Sequence, residues 1–263
     1  MLASMSLCHR EIVRFFRQKN RVIGSVATPL VFWLLLGFGF NQSFKLPIAE
    51  GADNVAAVGQ SYLTYFYPGT ITLVLLFTAI FSTISVIEDK REGFMQGVLV
   101  APMSRLAIVL GKVLGGAIIA TVQGLIFLVF WPVIAPWPGL GMMLGALLVM
   151  FIIAVSMTAL GMCFAWNSSS TAGFHAIMNL ILMPLWFLSG AMFPVTQAPL
   201  AMKIVMYANP LTYGQELMVG LMSGNLESTL LPFGVMLGIS LAMMCLLLFA
   251  CYRLVNQSPR GVH

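Results

Sequence analysis

Charge is scarce in this chain. Asp, Glu, Lys and Arg make up 8% of its 263 residues, 60% are hydrophobic, and the mean hydropathy is +0.97. Soluble domains carry roughly 25% charged residues. The deficit excludes a soluble core and makes the chain an integral membrane protein. No long polar segment interrupts it, so a single membrane domain over 1–263 is expected. Cysteine is also sparse. Cys8, Cys163, Cys245 and Cys251 lie in or beside apolar runs without metal-ligand spacing, which excludes a disulfide framework and reads as small buried hydrophobes. The nucleotide-binding loop G-x-x-x-x-G-K-[ST] is missing. Gly111-Lys112 is followed by Val113, and no glycine stands five residues before Gly111. An intramembrane serine protease is excluded because Phe187 stands two residues before Ser189, where a glycine is needed; His175 would have been its partner. There is no internal repeat. The 19 methionines are scattered, which favours adaptable packing over a soft-metal path.

What the chain has is long apolar runs. A spanning helix needs about 20 mostly apolar residues. Six runs qualify: 22–40, 64–87, 107–134, 140–165, 171–193 and 230–252. Backbone groups in lipid must pair internally, so these runs predict an all-α, six-span protein; a β-barrel would show short alternating segments. The basic N-terminus followed by an apolar run mimics a signal peptide. The run is long enough to span, however, and reads as an uncleaved first span.

Lys and Arg set the orientation. With the N-terminus inside, eleven of them fall on inner segments, and two, Lys45 and Lys203, on outer ones. Both termini are therefore expected in the cytoplasm, with the chain in the cytoplasmic (inner) membrane. Residues 1–21 read as an amphipathic helix lying on the inner leaflet. At 100° per residue, Arg10, Arg14, Arg17 and Arg21 share a narrow arc, with Met5, Cys8, Ile12, Phe15 and Phe16 opposite. A plain positive-inside anchor is the simpler reading of the same residues.

Glu88 to Glu92 are five consecutive charges. Each would cost roughly 2.5–3.5 kcal/mol at mid-membrane, so this run is expected outside the hydrocarbon. The apolar stretch after it suits a short helix that docks a face, ended by Pro102. Ser104 is placed to cap the next helix, and Gly111 and Gly115 give it a small-xxx-small face. Residues 194–229 are long yet hardly polar. They read as one or two short helices dipping into the outer leaflet.

Two blocks carry a resemblance. "REGFMQGVLVAPMSRLAIVLGK", Arg91 to Lys112, and "PLWFLSGAMFPVTQAPLAMKIVMYANPLTYGQEL", Pro184 to Leu217, are similar to the signature segments of the permease subunits of ABC-2 type exporters. The resemblance covers nearly the whole chain. It implies that the first block is a coupling helix touching a separate ABC ATPase through Arg91, Glu92, Phe94, Gln96, Leu99, Pro102 and Arg105. Met95-Gln96 stands where the family usually has Leu-Glu, so an amide replaces a charge there. The N-terminal stripe becomes the connecting helix, and 194–229 the short re-entrant exterior helices. ATP and Mg would sit on the partner; this chain binds no cofactor and is not itself an enzyme. Two copies are expected, because six helices alone enclose no path for a bulky substrate. Membrane lipids are the other partner, and nucleic acid is not one.

Polar residues in or near the runs are Gln123, Asn179 and His175. Gln123 and Asn179 read either as interhelical hydrogen-bonding groups or as lining for a substrate path. Glu216 either marks an exit or pairs with Lys203. The expected function is ATP-driven export of a hydrophobic or amphiphilic substrate such as a drug, a lipid or a lipid-linked saccharide. The alternatives are a non-transporting scaffold that recruits the ATPase, and an ion-coupled transporter.

Overall fold

The structure is a computed structural model that describes residues 2–41, 62–100, 103–226 and 231–257. Regular structure among the described residues is entirely helical: α1 (Leu2–Arg17), α2 (Lys19–Asn41), α3 (Tyr62–Ser82), α4 (Ile84–Arg91), α5 (Phe94–Val100), α6 (Arg105–Ile134), α7 (Leu140–Asn167), α8 (Thr171–Trp186), α9 (Leu200–Ala208), α10 (Pro210–Ser223) and α11 (Phe233–Gln257). Five spans are long and apolar enough to cross a membrane: Tyr62–Arg91, Arg105–Ile134, Leu140–Asn167, Thr171–Ala191 and Phe233–Gln257. If the α1–α2 pair, bent by 83°, is counted as one broken span, the number is six. The first connection and Pro102 lie outside the described residues.

The charged run does not form a loop. Helix continues from α3 through α4 to Arg91, so Glu88 to Arg91 form the last turn of the second span. Gly93, at φ 76°, then turns the chain into α5. Ser82 and Thr83 donate back to Ala79 and Ile80 carbonyls at 2.7 and 2.6 Å, where α3 passes into α4. Ser104 caps α6 by accepting from the Ala107 amide at 3.2 Å, as its position before the apolar run predicts.

The α3–α4 span is the axis of the molecule: 89% of its most apolar window is buried, against 22% for α8 and 11% for α11. Around α3 pack α2, α6, α7, α8 and α10. α8 and α11 therefore offer most of their surface to lipid or to another chain. The glycines of α6 set its approach to its neighbours. A Cβ on Gly111 would stand 2.8 Å from that of Leu7, and one on Gly115 2.9 Å from that of Glu11, so α1 lies directly on this small-xxx-small face.

The face that α1 buries differs from the expected one. Leu7, Glu11 and Phe15 are buried, at i, i+4 and i+8, while Met5 and Phe16 are exposed. Apolar periodicity misplaced this stripe because a glutamate sits at its centre.

The fifth span ends in irregular backbone. A π-turn, Phe187–Ala191, contains Gly190 at φ 87°, then comes a 3-10 turn, Val195–Gln197, and then α9 and α10. Carbonyls freed by the break find side chains. Asn209 Nδ2 donates to Leu185 O at 2.6 Å, while its Oδ1 accepts from the Leu211 amide at 3.0 Å and caps α10. Thr212 donates to Leu188 O at 3.3 Å and Met206 O at 2.6 Å; Tyr213 donates to Tyr207 O at 2.8 Å. The Asn-Pro-Leu-Thr-Tyr motif thus holds a broken helix end closed. Asn209→Ala removes both roles and is expected to cost about 1–3 kcal/mol, read as a lower melting temperature in detergent.

Candidate functional site

Lys112 is a lone cation in an apolar run and only 5% exposed. Such a group needs a counter-charge, and α1 and α4 supply two. Its Nζ donates to Glu11 Oε1 at 2.6 Å, to Asp89 Oδ2, and to Ser85 Oγ at 3.4 Å. Asp89 is fully buried. It also receives Arg10 through two parallel bonds, at 3.0 and 2.7 Å, and Arg14 at 2.8 Å. Paired bonds from one guanidinium fix both planes as well as adding energy. Arg14 further meets Glu88 at 2.9 Å and Glu92 at 3.5 Å. Three cations and four carboxylates from α1, α4, α6 and the turn after α4 therefore form one lock.

The lock extends into a polar seam. Thr78, Ser82, Ser85 and Asp89 follow one face of α3–α4, while Lys112, Gly116 and Gln123 follow one face of α6. Thr78 donates to Gln123 Oε1 at 2.5 Å. A Cβ on Gly116 would lie 2.3 Å from Ser82 Oγ, so the two helices touch there.

α5 hangs from the lock. The Arg10 guanidinium sits 3.8 Å from the centre of the Phe94 ring, a cation–π contact, and Met95 is 2% exposed. Arg91, Glu92, Phe94 and Gln96 face outward, and Val100 is 85% exposed. Arg105 turns elsewhere: its guanidinium donates to Val255 O, near the end of α11. It ties α6 to α11 of this chain. Lys90 likewise donates to Ala165, Trp166 and Ser168 carbonyls at 3.2, 2.6 and 3.0 Å, closing the C-terminal end of α7. The Leu99 side chain and Pro102 lie outside the described residues.

Of the N-terminal stripe, Arg10 and Arg14 point into the lock, Arg17 is exposed, and the Arg21 side chain lies outside the described residues. Gln123, Asn179 and Glu216 do not share a path. Gln123 is 1% exposed inside the bundle, Asn179 lies on the exposed face of α8, and Glu216 packs against the π-turn. His175 is on the same exposed face, its ring 4.8 Å from that of Phe81. The residues that sequence reasoning passed over are Glu11, Asp89 and Lys112. The signal was present: one cation inside a long apolar run implies a buried anion.

No group of His, Cys, Asp and Glu suited to a metal occurs among the described residues. A family model described as ABC-2 type transporter matches residues 3–223. The chain is 24% identical over 213 residues to a protein of Cyanophora paradoxa described as transport permease ycf38, covering 80% of this chain and 70% of that one. It is 26% identical over 206 residues to Nodulation protein J of Rhizobium leguminosarum bv. viciae, covering 78% and 75%. A second Nodulation protein J, from bv. trifolii, is 27% identical over 206 residues, covering 78% and 74%.

Proposed function

Because this chain belongs to the ABC-2 type transporter family and is a multi-pass membrane subunit of a transporter, we propose that it is the permease of an ATP-driven exporter working with a separate ABC ATPase. The substrate is a hydrophobic or amphiphilic molecule taken from the cytoplasm or the inner leaflet. The lock and α5 lie on the cytoplasmic side, in keeping with the eleven-to-two division of Lys and Arg, and the chain resides in the cytoplasmic membrane with both termini inside.

The observation that carries this reading is the suspension of α5. α5 presents Phe94 and Gln96 outward beside Arg91 and Glu92, at the end of α4 and in the turn after it, yet is tied through Phe94 and Arg10 to a lock that grips three helices at once. A push on α5 from a closing ATPase dimer reaches α1, α4 and α6 together, and the seam carries it along α3. α9, α10 and the π-turn form the outer, re-entrant end. Two permease copies would enclose the path. The mostly exposed α8, with Asn179 and His175 on its open face inside a span, is the surface such a pairing would cover.

Charge reversal at Arg91 and Glu92 together is expected to reduce co-purification of the ATPase roughly tenfold without unfolding the bundle, with a slightly lower melting temperature because Glu92 also meets Arg14. Undiminished co-purification counts against the coupling role. Reconstituted with its ATPase, the wild-type complex is expected to move labelled amphiphile across vesicles in step with ATP hydrolysis. Hydrolysis without movement of any amphiphile supports instead a scaffold that only recruits the ATPase.

A further inference from the structure

At the end opposite the lock, α3 carries a row of contacts that the seam does not use. Tyr62 donates to Met192 O at 3.3 Å, and Tyr65 to Gly190 O at 2.7 Å. The Gly69 carbonyl accepts from the Trp186 indole at 2.9 Å, and a Cβ on Gly69 would stand 2.7 Å from Ala191 O. Thr72 donates to Gln215 Oε1 at 2.5 Å, and both residues are fully buried. Gln215 Nε2 is buried without a partner among the described residues, so the bond from Thr72 is what holds this amide.

Positions 62, 65, 69 and 72 stand at i, i+3, i+7 and i+10, which is one face of a helix. Their partners all belong to the re-entrant end: the last residue of α8, the π-turn, the residue after it, and α10. The backbone there is irregular, with Gly190 at φ 87°. π-turns inside helices occur frequently at functional sites, and a few residues at the end of an element absorb the φ/ψ change when a segment swings. α9 rides on this turn. It packs on the π-turn and the 3-10 turn, and Met206 shares a small core with Val195 and Ala198 that is separate from the main one.

The seam leaves α3 in another direction. Thr78 bonds Gln123 on α6, and Ser82 lies against Gly116 on α6. At 100° per residue these two fall on roughly the opposite side of the helix from the row. α3 and α4 together make one span of 30 residues, about 45 Å of nearly continuous helix. A stiff rod held at its middle moves its two ends in opposite directions. Drawing the lock end toward α6 therefore drives the other end into the π-turn. Hydrogen bonds to particular atoms, and a glycine backbone set directly against Ala191, leave no slack in which that motion is lost.

We infer that α3 is a lever that carries the stroke of the ATPase across the membrane, and that Tyr65 and Thr72 are the positioning residues through which it moves the π-turn and α10. The inference rests on the permease reading above and names the residues that couple its two ends. Movement of the lock tilts α3, the row displaces the π-turn and α10, and the re-entrant end opens.

The test uses the full-length chain in complex with its ATPase in lipid nanodiscs. A non-hydrolysable ATP analogue is expected to change amide hydrogen exchange in α5 and in residues 187–208. In the Tyr65→Phe, Thr72→Val double variant, which loses two hydroxyls and little shape, α5 keeps its response and that of 187–208 falls roughly tenfold. Thr72→Ser keeps the hydroxyl and should respond as wild type does. In proteoliposomes the double variant should hydrolyse ATP at the wild-type rate and move roughly tenfold less amphiphile per ATP. A merely structural hydrogen bond would lower the melting temperature and leave that ratio unchanged. An undiminished response of 187–208 in the double variant overturns the lever, as does a Thr72→Ser response no better than that of Thr72→Val. A wild-type complex that moves amphiphile while 187–208 ignore nucleotide overturns the lever and leaves the permease reading standing. A response of 187–208 without movement of any amphiphile supports the lever and sinks the transport reading instead.

Discussion

Asp89→Ala is expected to lower the melting temperature of the detergent-solubilised protein by on the order of 10 °C. Asp89 is fully buried and accepts from Arg10, Arg14 and Lys112. Removing it leaves the buried Lys112 with Glu11 as its one remaining carboxylate among the described contacts, while Arg14 keeps Glu88 and Glu92. Breaking a buried pair from one side costs about 3–5 kcal/mol, and each kcal/mol is worth roughly 2–4 °C in a domain of 150–250 residues. Asp89→Asn keeps two polar atoms and should lose less. Lys112→Met should be comparably damaging, because it strands Glu11 and Asp89. Combining Lys112→Met with Glu11→Gln should recover part of the loss, since the anion that Lys112 held has gone with it. The double-mutant cycle reads that coupling directly. A melting point for Asp89→Ala within about 2 °C of wild type would mean that the lock contributes nothing to the fold.

Gly116→Ala is expected to be the most damaging one-methyl change in the membrane core. The added Cβ would stand 2.3 Å from Ser82 Oγ and 2.6 Å from Thr158 Cγ2, both on buried faces of helices packed against α6. Neither neighbour is the far end of a flexible side chain, so α3 or α7 has to move. Overpacking of this kind costs about 1–3 kcal/mol. The shift also opens the seam at its narrowest point, and transport should fall more than binding of the ATPase. Adding Ser82→Ala and Thr158→Ser removes the two clashing atoms and should restore most of the lost stability. Gly141→Ala on α7 is the control, because nothing lies within 4 Å of its added methyl. Similar melting curves for the two alanine variants would sink the close-approach argument.

The separation between what was and was not legible follows the range of each interaction. Spans were readable because hydropathy is local: a run of apolar residues must be buried or in lipid whatever it touches, and its backbone must then be helical. The Ser104 cap was readable for the same reason, since it depends on residues within one turn of chain; the helix's continuation through the charged run to Arg91 was not. The function class was legible because two blocks keep the motifs of a known family. The turn that the second block encodes became intelligible only when Asn209 and Thr212 were seen on the freed carbonyls of Leu185 and Leu188.

Sequence by itself determined that this is an all-helical membrane protein with five to six apolar runs able to span. Tertiary structure alone decided that Glu11, Asp89 and Lys112, separated by 78 and 23 residues along the chain, neutralise one another. It alone decided that Arg10 and Arg14 turn into that lock, that Arg105 clamps α11, and that Glu216 forms no ion pair among the described residues. The reason is physical. Transfer from water is nearly a sum over single residues, whereas the energy of a buried charge depends on which other helix brings a partner within about 3 Å, and no local pattern records that encounter.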